Sequence, residues 1–117
     1  MPSTFRIARE LISRIENQKT GEMMSELDVN IPPVRYEELY NFAQERSEQF
    51  LHHFKLIEGA KHAYQNPLTS VIARNWKAQL EVTGADGFPP TEVAGNVLRP
   101  ETTLKLSIRV PPTLDAE

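Results

Sequence analysis

The chain has 117 residues, a length that fits one small domain and excludes a multidomain enzyme. Its 13 Lys and Arg stand against 16 Asp and Glu, and the net charge of −3 argues against a strongly basic nucleic-acid-binding surface. The absence of Cys excludes disulfides, thiolate zinc ligands and a Cys nucleophile, and no apolar run approaches the roughly 18 residues of a membrane span. We therefore expect neither a nucleic acid nor a membrane as partner, and the compartment stays undecided.

The first predicted element is an amphipathic helix close to the N-terminus. Ser3 is suited to cap its first free N–H groups. The apolar residues recur at helical spacing, with polar residues on the other side; they are Phe5, Ala8, Leu11, Ile12 and Ile15.

Further along, residues 27–31 alternate before Pro32 and Pro33, a pattern that fits either a short edge strand or an extended tether.

The longest periodic stretch predicts a helix over residues 34–58, with Gly59 as its stop. Its apolar stripe fits either a heptad seam that binds a partner helix or a helix packed on its own domain. The residues of the stripe recur at spacings of three and four; they are Tyr36, Tyr40, Ala43, Ser47, Phe50, Phe54 and Ile57. Four aromatic residues of this stripe are candidates for an interface: Tyr36, Tyr40, Phe50 and Phe54.

Two later segments alternate with period two and predict a pair of antiparallel strands. The first covers residues 76–82 and the second residues 102–110, and a short helical turn is expected over residues 68–74. Gly84 and Gly87 end the first strand, and a double proline ends the second. Trp76, on the apolar side of the first strand, is a candidate for the core and for an interface.

The candidate catalytic groups form no recognisable constellation. His52, His53 and His62 include no pair at i, i+4, and Glu48 with His52 is more typical of a solvated helix face than of a zinc site. No nucleophile elbow, P-loop or dinucleotide fingerprint is present in the sequence. We predict no catalytic and no metal-binding residue here. Arg109, at the polar end of the second strand, suits either a carboxylate ligand or the protection of a strand edge.

Three motifs follow one another near the C-terminus: LEVTGADG at residues 80–87, NVLRPE at residues 96–101 and LKLSIRVP at residues 104–111. Together they resemble the lid domain of the carnosinase/aminoacylase-type zinc metallopeptidases. This family includes dipeptidases, carboxypeptidases, aminoacylases and succinyl-diaminopimelate desuccinylase. The resemblance covers residues 76–117, and the Pro-containing entry to the first helix fits it as well. One departure is that Arg99 stands where the family usually has Pro, which is displaced to position 100.

The resemblance implies an α+β fold that is part of a βαββαβ (ferredoxin-like) lid, with antiparallel strands, helices on one face and a long inserted helix. Residues 1–117 would form a single truncated lid and dimerisation domain, with a helical insertion at residues 18–75 as in the carnosinase branch. The first strand of the lid would precede residue 1, and its last helix and strand would follow residue 117.

The resemblance also implies a function. The chain would be the non-catalytic lid of a dipeptidase, carboxypeptidase or aminoacylase, with zinc held by a catalytic domain of the same polypeptide and no cofactor in this chain. Asn96 and Arg109 would contact a peptide or N-acyl amino acid substrate, with Arg109 on its terminal carboxylate. A homodimer is expected, and the cytoplasm is favoured for the parent enzyme. The alternative is a stand-alone α+β protein-interaction module.

Overall fold

The computed structural model describes residues 2–53 and 55–115, and the side chains of these except residues 47, 48 and 50–52. Within them lie the helices α1 (Thr4–Ile12), α2 (Pro33–His52) and α3 (Pro67–Trp76), and the strands β1 (Gln79–Asp86) and β2 (Thr103–Arg109). Short 3-10 turns occur at Ser25–Leu27 and Thr91–Val93. The predicted α+β class is confirmed.

The chain divides into two compact units. The first joins Met1–Leu27 to Ala78–Val110 and holds α1, β1 and β2. The second joins Asp28–Lys77 to Pro111–Glu117 and holds α2 and α3. In sequence, the second unit therefore interrupts the first between residues 27 and 78. The lid insertion at residues 18–75 stays a prediction.

The sheet of the first unit is antiparallel, as predicted, with β1 paired to β2. Leu80 pairs with Ile108 and Val82 with Leu106, and a bulge between Val82 and Gly84 then shifts the register. Because the bulge adds one residue to β1, Ala85 takes the position opposite Leu104. The apolar side chains on both sides of the bulge thus stay on the same face of the sheet.

The apolar face of this sheet is only partly covered. Leu80 is buried, whereas Val82 is 48% exposed, Ile108 44% and Leu106 38%. The opposite face, which carries Lys105 on β2, is exposed as well. A two-stranded sheet is marginally stable alone, and this one leaves apolar surface available to another element or chain.

Helix α1 begins where the sequence predicts. Its N-cap Ser3 accepts a hydrogen bond from the backbone N–H of Arg6 at 3.4 Å. The helix ends at Ile12, so Ile15 lies beyond it, where its backbone O accepts from the N–H of Met24 at 2.8 Å. No residue of α1 is buried, and its apolar side is half-exposed at Phe5.

Helix α2 is shorter than predicted: it ends at His52, not at residue 58, and Arg46 departs from helical geometry inside it (φ −122°, ψ 16°). Most of the stability of a protein helix comes from packing rather than from propensity. α2 packs on α3 and buries Ala43 there, whereas Leu56 and Ile57 are 44% and 83% exposed. The predicted apolar stripe thus extends to Ile57, an exposed residue beyond the end of the helix.

Helix α3 replaces both the short helical turn and the start of the first predicted strand. Asn66 caps it by accepting from the N–H of Thr69 at 3.1 Å, and Pro67 follows at the first helical position. The helix extends to Trp76, and β1 begins only at Gln79. The placement of Trp76 in a strand is therefore wrong. Leu27 ends a 3-10 turn and residues 28–32 belong to no helix or strand, so the short edge strand is wrong there.

The core of the second unit is small. Its most buried side chains are Val71 and Pro111, followed by Ala43, Ala73 and Trp76. An ion pair between Lys77 Nζ and Asp28 Oδ1, 2.7 Å apart, joins the two ends of the segment of residues 28–77. Because both side chains are about half-exposed, this pair adds at most about 1 kcal/mol. Apolar burial around α3 therefore carries the stability of this unit.

We predict that Val71→Ala lowers the free energy of unfolding by about 2 kcal/mol, because two buried carbons are lost and a cavity remains. Urea denaturation followed by far-UV circular dichroism measures the change. Val34→Ala, at a 67% exposed position on α2, is the matched control and should change stability by less than about 0.5 kcal/mol. Equal effects of the two substitutions would contradict a core centred on Val71.

Candidate functional site

The two predicted substrate-binding residues belong to opposite ends of the sheet. Arg109 is the last residue of β2 and pairs with Gln79. Asn96 lies in the loop of residues 87–102, which leaves the sheet at the other end, next to the pair formed by Asp86 and Thr103. That end is about 20 Å along β2 from Arg109. The sheet itself therefore positions only Arg109, and the conformation of the loop decides the position of Asn96.

Arg109 is exposed and lies on the polar face of β2 together with Lys105 and Ser107. Among the described residues, its guanidinium has no hydrogen-bond or ion-pair partner. A guanidinium is a planar group with five N–H donors that matches a carboxylate in a bidentate way. The geometry of Arg109 thus leaves this group available to an anionic ligand.

The loop that carries Asn96 is closed at its neck by backbone contact. Gly87 has φ +91°, and a Cβ placed on it would lie 2.8 Å from the carbonyl O of Glu101 and 3.4 Å from Cα of Thr102. No side chain fits there, and the left-handed backbone also favours glycine. The first and last residues of the loop are therefore in direct contact because residue 87 is glycine.

Two further residues fasten the neck. The guanidinium Nη1 of Arg99 donates a hydrogen bond to the carbonyl O of Gly87 across the loop. Thr4, at the start of α1, shares a hydrogen bond with the hydroxyl of Thr102 at 2.8 Å and approaches the carbonyl O of Arg99 at 3.5 Å. The side chain of Arg99 thus holds the beginning of the loop, and its backbone lies against α1.

An aromatic pair adds another contact between α1 and the loop. The rings of Phe5 and Phe88 meet edge to face, with centroids 5.5 Å apart and an interplanar angle of 89°. The guanidinium of Arg9 lies over the Phe5 ring, 5.4 Å from its centroid. Both rings are partly exposed. The first residues of α1 are therefore fixed to the first residues of the loop.

Asn96 lies within the loop, between Phe88 and Arg99 in the sequence. The N–H of Val97 donates to the carbonyl O of Gly95 at 2.9 Å, which places Asn96 at the centre of a three-residue γ-turn. Asn96 is exposed, and Val97 and Leu98 are 75% and 55% exposed. The turn thus presents the Asn96 amide to solvent without packing of its own.

The predicted interface residues differ in their surroundings. Tyr36 and Tyr40, one turn apart on α2, are 46% and 45% exposed. Trp76 is buried within the chain, as its core interpretation expects. The side chain of Phe50 and the whole of Phe54 lie outside the described residues. Their role in an interface stays a prediction.

The electrostatics of α2 near this tyrosine pair are those of an ordinary exposed helix surface. The carboxylate of Glu38 raises the pKa of Arg35 above its usual value, by a hydrogen bond and by its charge. Arg35 is charged at any physiological pH, so this shift gives the tyrosine surface no dependence on pH.

No metal cluster or membrane span is found in the part of the chain that the structure describes. There, His, Asp and Glu side chains do not gather in groups of three or more that could hold a metal ion. The described helices include none with the length and apolar character needed to cross a bilayer.

Sequence patterns do not reveal the contacts at the loop neck. Arg99 stands out in the sequence only because it occupies a position at which the resembling family has Pro, and Thr4 and Phe88 carry no signal. Their partners lie between 12 and 98 positions away in the sequence, at distances that periodicity does not connect. Comparison with known protein families and with curated proteins finds no match for this chain.

We predict that Gly87→Ala destabilises the first unit by at least about 2 kcal/mol, because the new Cβ meets backbone in a left-handed conformation. Thermal unfolding measures the change. Gly21→Ala is the matched control, since Gly21 has φ +73° but open space around it, and it should cost only about 1 kcal/mol. A cost at Gly87 no larger than at Gly21 would show that the neck is not tight.

Proposed function

We propose that this chain is the non-catalytic lid and dimerisation domain of a zinc-dependent metallopeptidase of the dipeptidase, carboxypeptidase or aminoacylase type. The observation that carries the proposal is the placement of the three resembling motifs. Two of them form one antiparallel sheet, and the third forms the loop between its strands. In this arrangement, Asn96 and Arg109 are both exposed and available to a ligand.

The chemistry of the lid follows from these two side chains. Arg109 would bind the terminal carboxylate of a peptide or N-acyl amino acid through its two parallel N–H donors, and the Asn96 amide would bind a carbonyl or amide group of the substrate. Such contacts orient the scissile bond and replace water around it. The resemblance implies that a catalytic domain of the same polypeptide would hold zinc, which would supply the activation of the attacking water there.

We predict that Arg109→Ala, in the full polypeptide that contains this chain, lowers kcat/KM roughly 10- to 150-fold for substrates with a free carboxylate. The effect should be much smaller for the same substrates with an amidated terminus. Arg109→Lys should restore activity only partly, because an ammonium group lacks the planar fork. Steady-state kinetics with matched acid and amide substrates, in the presence of zinc and after chelation, provide the measurement.

Lys105→Ala serves as the control for charge, since Lys105 lies on the same face of the same strand. If Lys105→Ala reduces kcat/KM as much as Arg109→Ala, general electrostatic attraction explains the effect and the carboxylate role is wrong. An equal loss for acid and amide substrates would contradict it as well. Absence of any zinc-dependent amide hydrolysis would overturn the proposed function itself.

A second candidate function is a stand-alone protein-interaction module, and the exposed apolar residues favour it. Val82, Leu106 and Ile108 form a row on one face of the sheet, where each is at least 38% exposed. A row of this kind fits the apolar surface of another chain, and each strand also has one edge without a partner in the two-stranded sheet. A homodimer would satisfy both candidate functions.

We predict that the chain forms a dimer at micromolar concentration, with more than about 1,000 Å² buried in total. Sedimentation equilibrium distinguishes this dimer from a 13.3 kDa monomer. Leu106→Lys should weaken the association because it places a charge in the apolar row, whereas Ser107→Lys, on the opposite face, should leave it intact. A monomer over the whole concentration range would contradict self-association.

A further inference from the structure

The loop that carries Asn96 depends for its shape on contacts made at its two ends. Its neck is closed where Gly87 meets Glu101, and beyond this neck the chain forms only a 3-10 turn and the γ-turn at Asn96. The exposed residues around Asn96 contribute no buried surface. The contacts at the neck, where Gly87 meets Glu101, therefore determine the orientation of the Asn96 turn.

Arg99 is the residue that connects the neck to the turn. It lies three positions after Asn96, is half-buried, and donates from Nη1 to the carbonyl O of Gly87. This bond links the segment that leaves the turn to the residue at which the loop begins. A charge-assisted hydrogen bond of this kind is about twice as strong as a neutral one, and partial burial protects it from water.

Thr4, in helix α1, contacts the same end of the loop, at Arg99 and Thr102. Its hydroxyl contacts Thr102 and approaches the backbone O of Arg99, while its neighbour Phe5 packs on Phe88. Arg99 is thus held by its guanidinium on one side and by α1 on the other. The loop between residues 88 and 99 has both ends fixed, which restricts the conformations open to Asn96.

We propose that Arg99 is a positioning residue that fixes the Asn96 turn through its hydrogen bond to Gly87. The part of this inference that concerns substrate rests on the proposed lid function, because it is there that the orientation of Asn96 affects binding. The part that concerns the loop itself does not depend on any activity, and it can be tested on the chain alone.

The first experiment measures backbone ¹⁵N order parameters in the 117-residue chain. In the unchanged chain, residues 95–97 should be close to the rigid value of about 0.85, and Arg99→Gln should lower them below about 0.6. Arg99→Lys, which keeps one donor for the Gly87 carbonyl, should retain most of the order. Arg6→Gln removes one positive charge from the exposed surface of α1 and should change nothing at residues 95–97.

Thr4→Val tests the contact of α1 with Arg99 and Thr102, because it removes the hydroxyl but keeps the shape of the side chain. It should mobilise the same residues, and its effect should not add to that of Arg99→Gln. Unchanged order parameters in Arg99→Gln would overturn the proposal. An equal loss of order in Arg6→Gln would also overturn it, because the effect would then be one of net charge.

The second experiment tests the link to Asn96 in the full polypeptide. Arg99→Gln should raise KM more than it lowers kcat, and it should have no further effect once Asn96 is replaced by Ala. A loss of the same factor in the Asn96→Ala background would show that Arg99 does not act through Asn96. Absence of hydrolytic activity in the unchanged polypeptide would overturn the lid function, while the order parameters would still decide the role of Arg99 in the loop.

Discussion

The register between β1 and β2 is the constraint on which the first unit depends. The bulge between Val82 and Gly84 keeps the apolar side chains of β1 opposite those of β2 on one face. It also brings the strand ends together at Asp86 and Thr103, where the loop must turn sharply. The left-handed conformation of Gly87 makes that turn possible, and the closed neck then provides the carbonyl that Arg99 binds.

The distribution of apolar surface is the feature on which the proposed contact with another chain or domain rests. A small unit buries a small fraction of its surface, and this unit holds a two-stranded sheet and a helix, α1, without any buried residue. The apolar row on the sheet and the aromatic pair at Phe5 and Phe88 remain half-exposed. Contact with a second chain, or with another domain, would bury this surface and add to the stability of the unit.

In the helical unit, the apolar pattern of the sequence does not by itself decide where a helix ends. α2 and α3 bury a common set of residues around Val71 and Ala43, and α2 does not extend past His52 although its apolar stripe does. The ion pair of Asp28 with Lys77 brings together the two ends of the segment of residues 28–77.

The sequence by itself determined the elements that depend on local pattern and capping. The start of α1 at Ser3, the existence of α2, the two alternating strands and the α+β class were all predictable, because periodicity and turn residues act over a few positions. The exposure of Arg109 also agrees with its place in the polar register of the second alternating segment. Tertiary structure decided the rest. Trp76 ends a helix because the Asn66 cap and the packing of α3 outweigh period-two alternation, and α2 ends at His52 although the apolar stripe continues to Ile57. It also decided the bonds of Arg99 and Thr4 at the loop neck, since contacts between distant residues depend on the register of the folded sheet and leave no periodic trace in the chain.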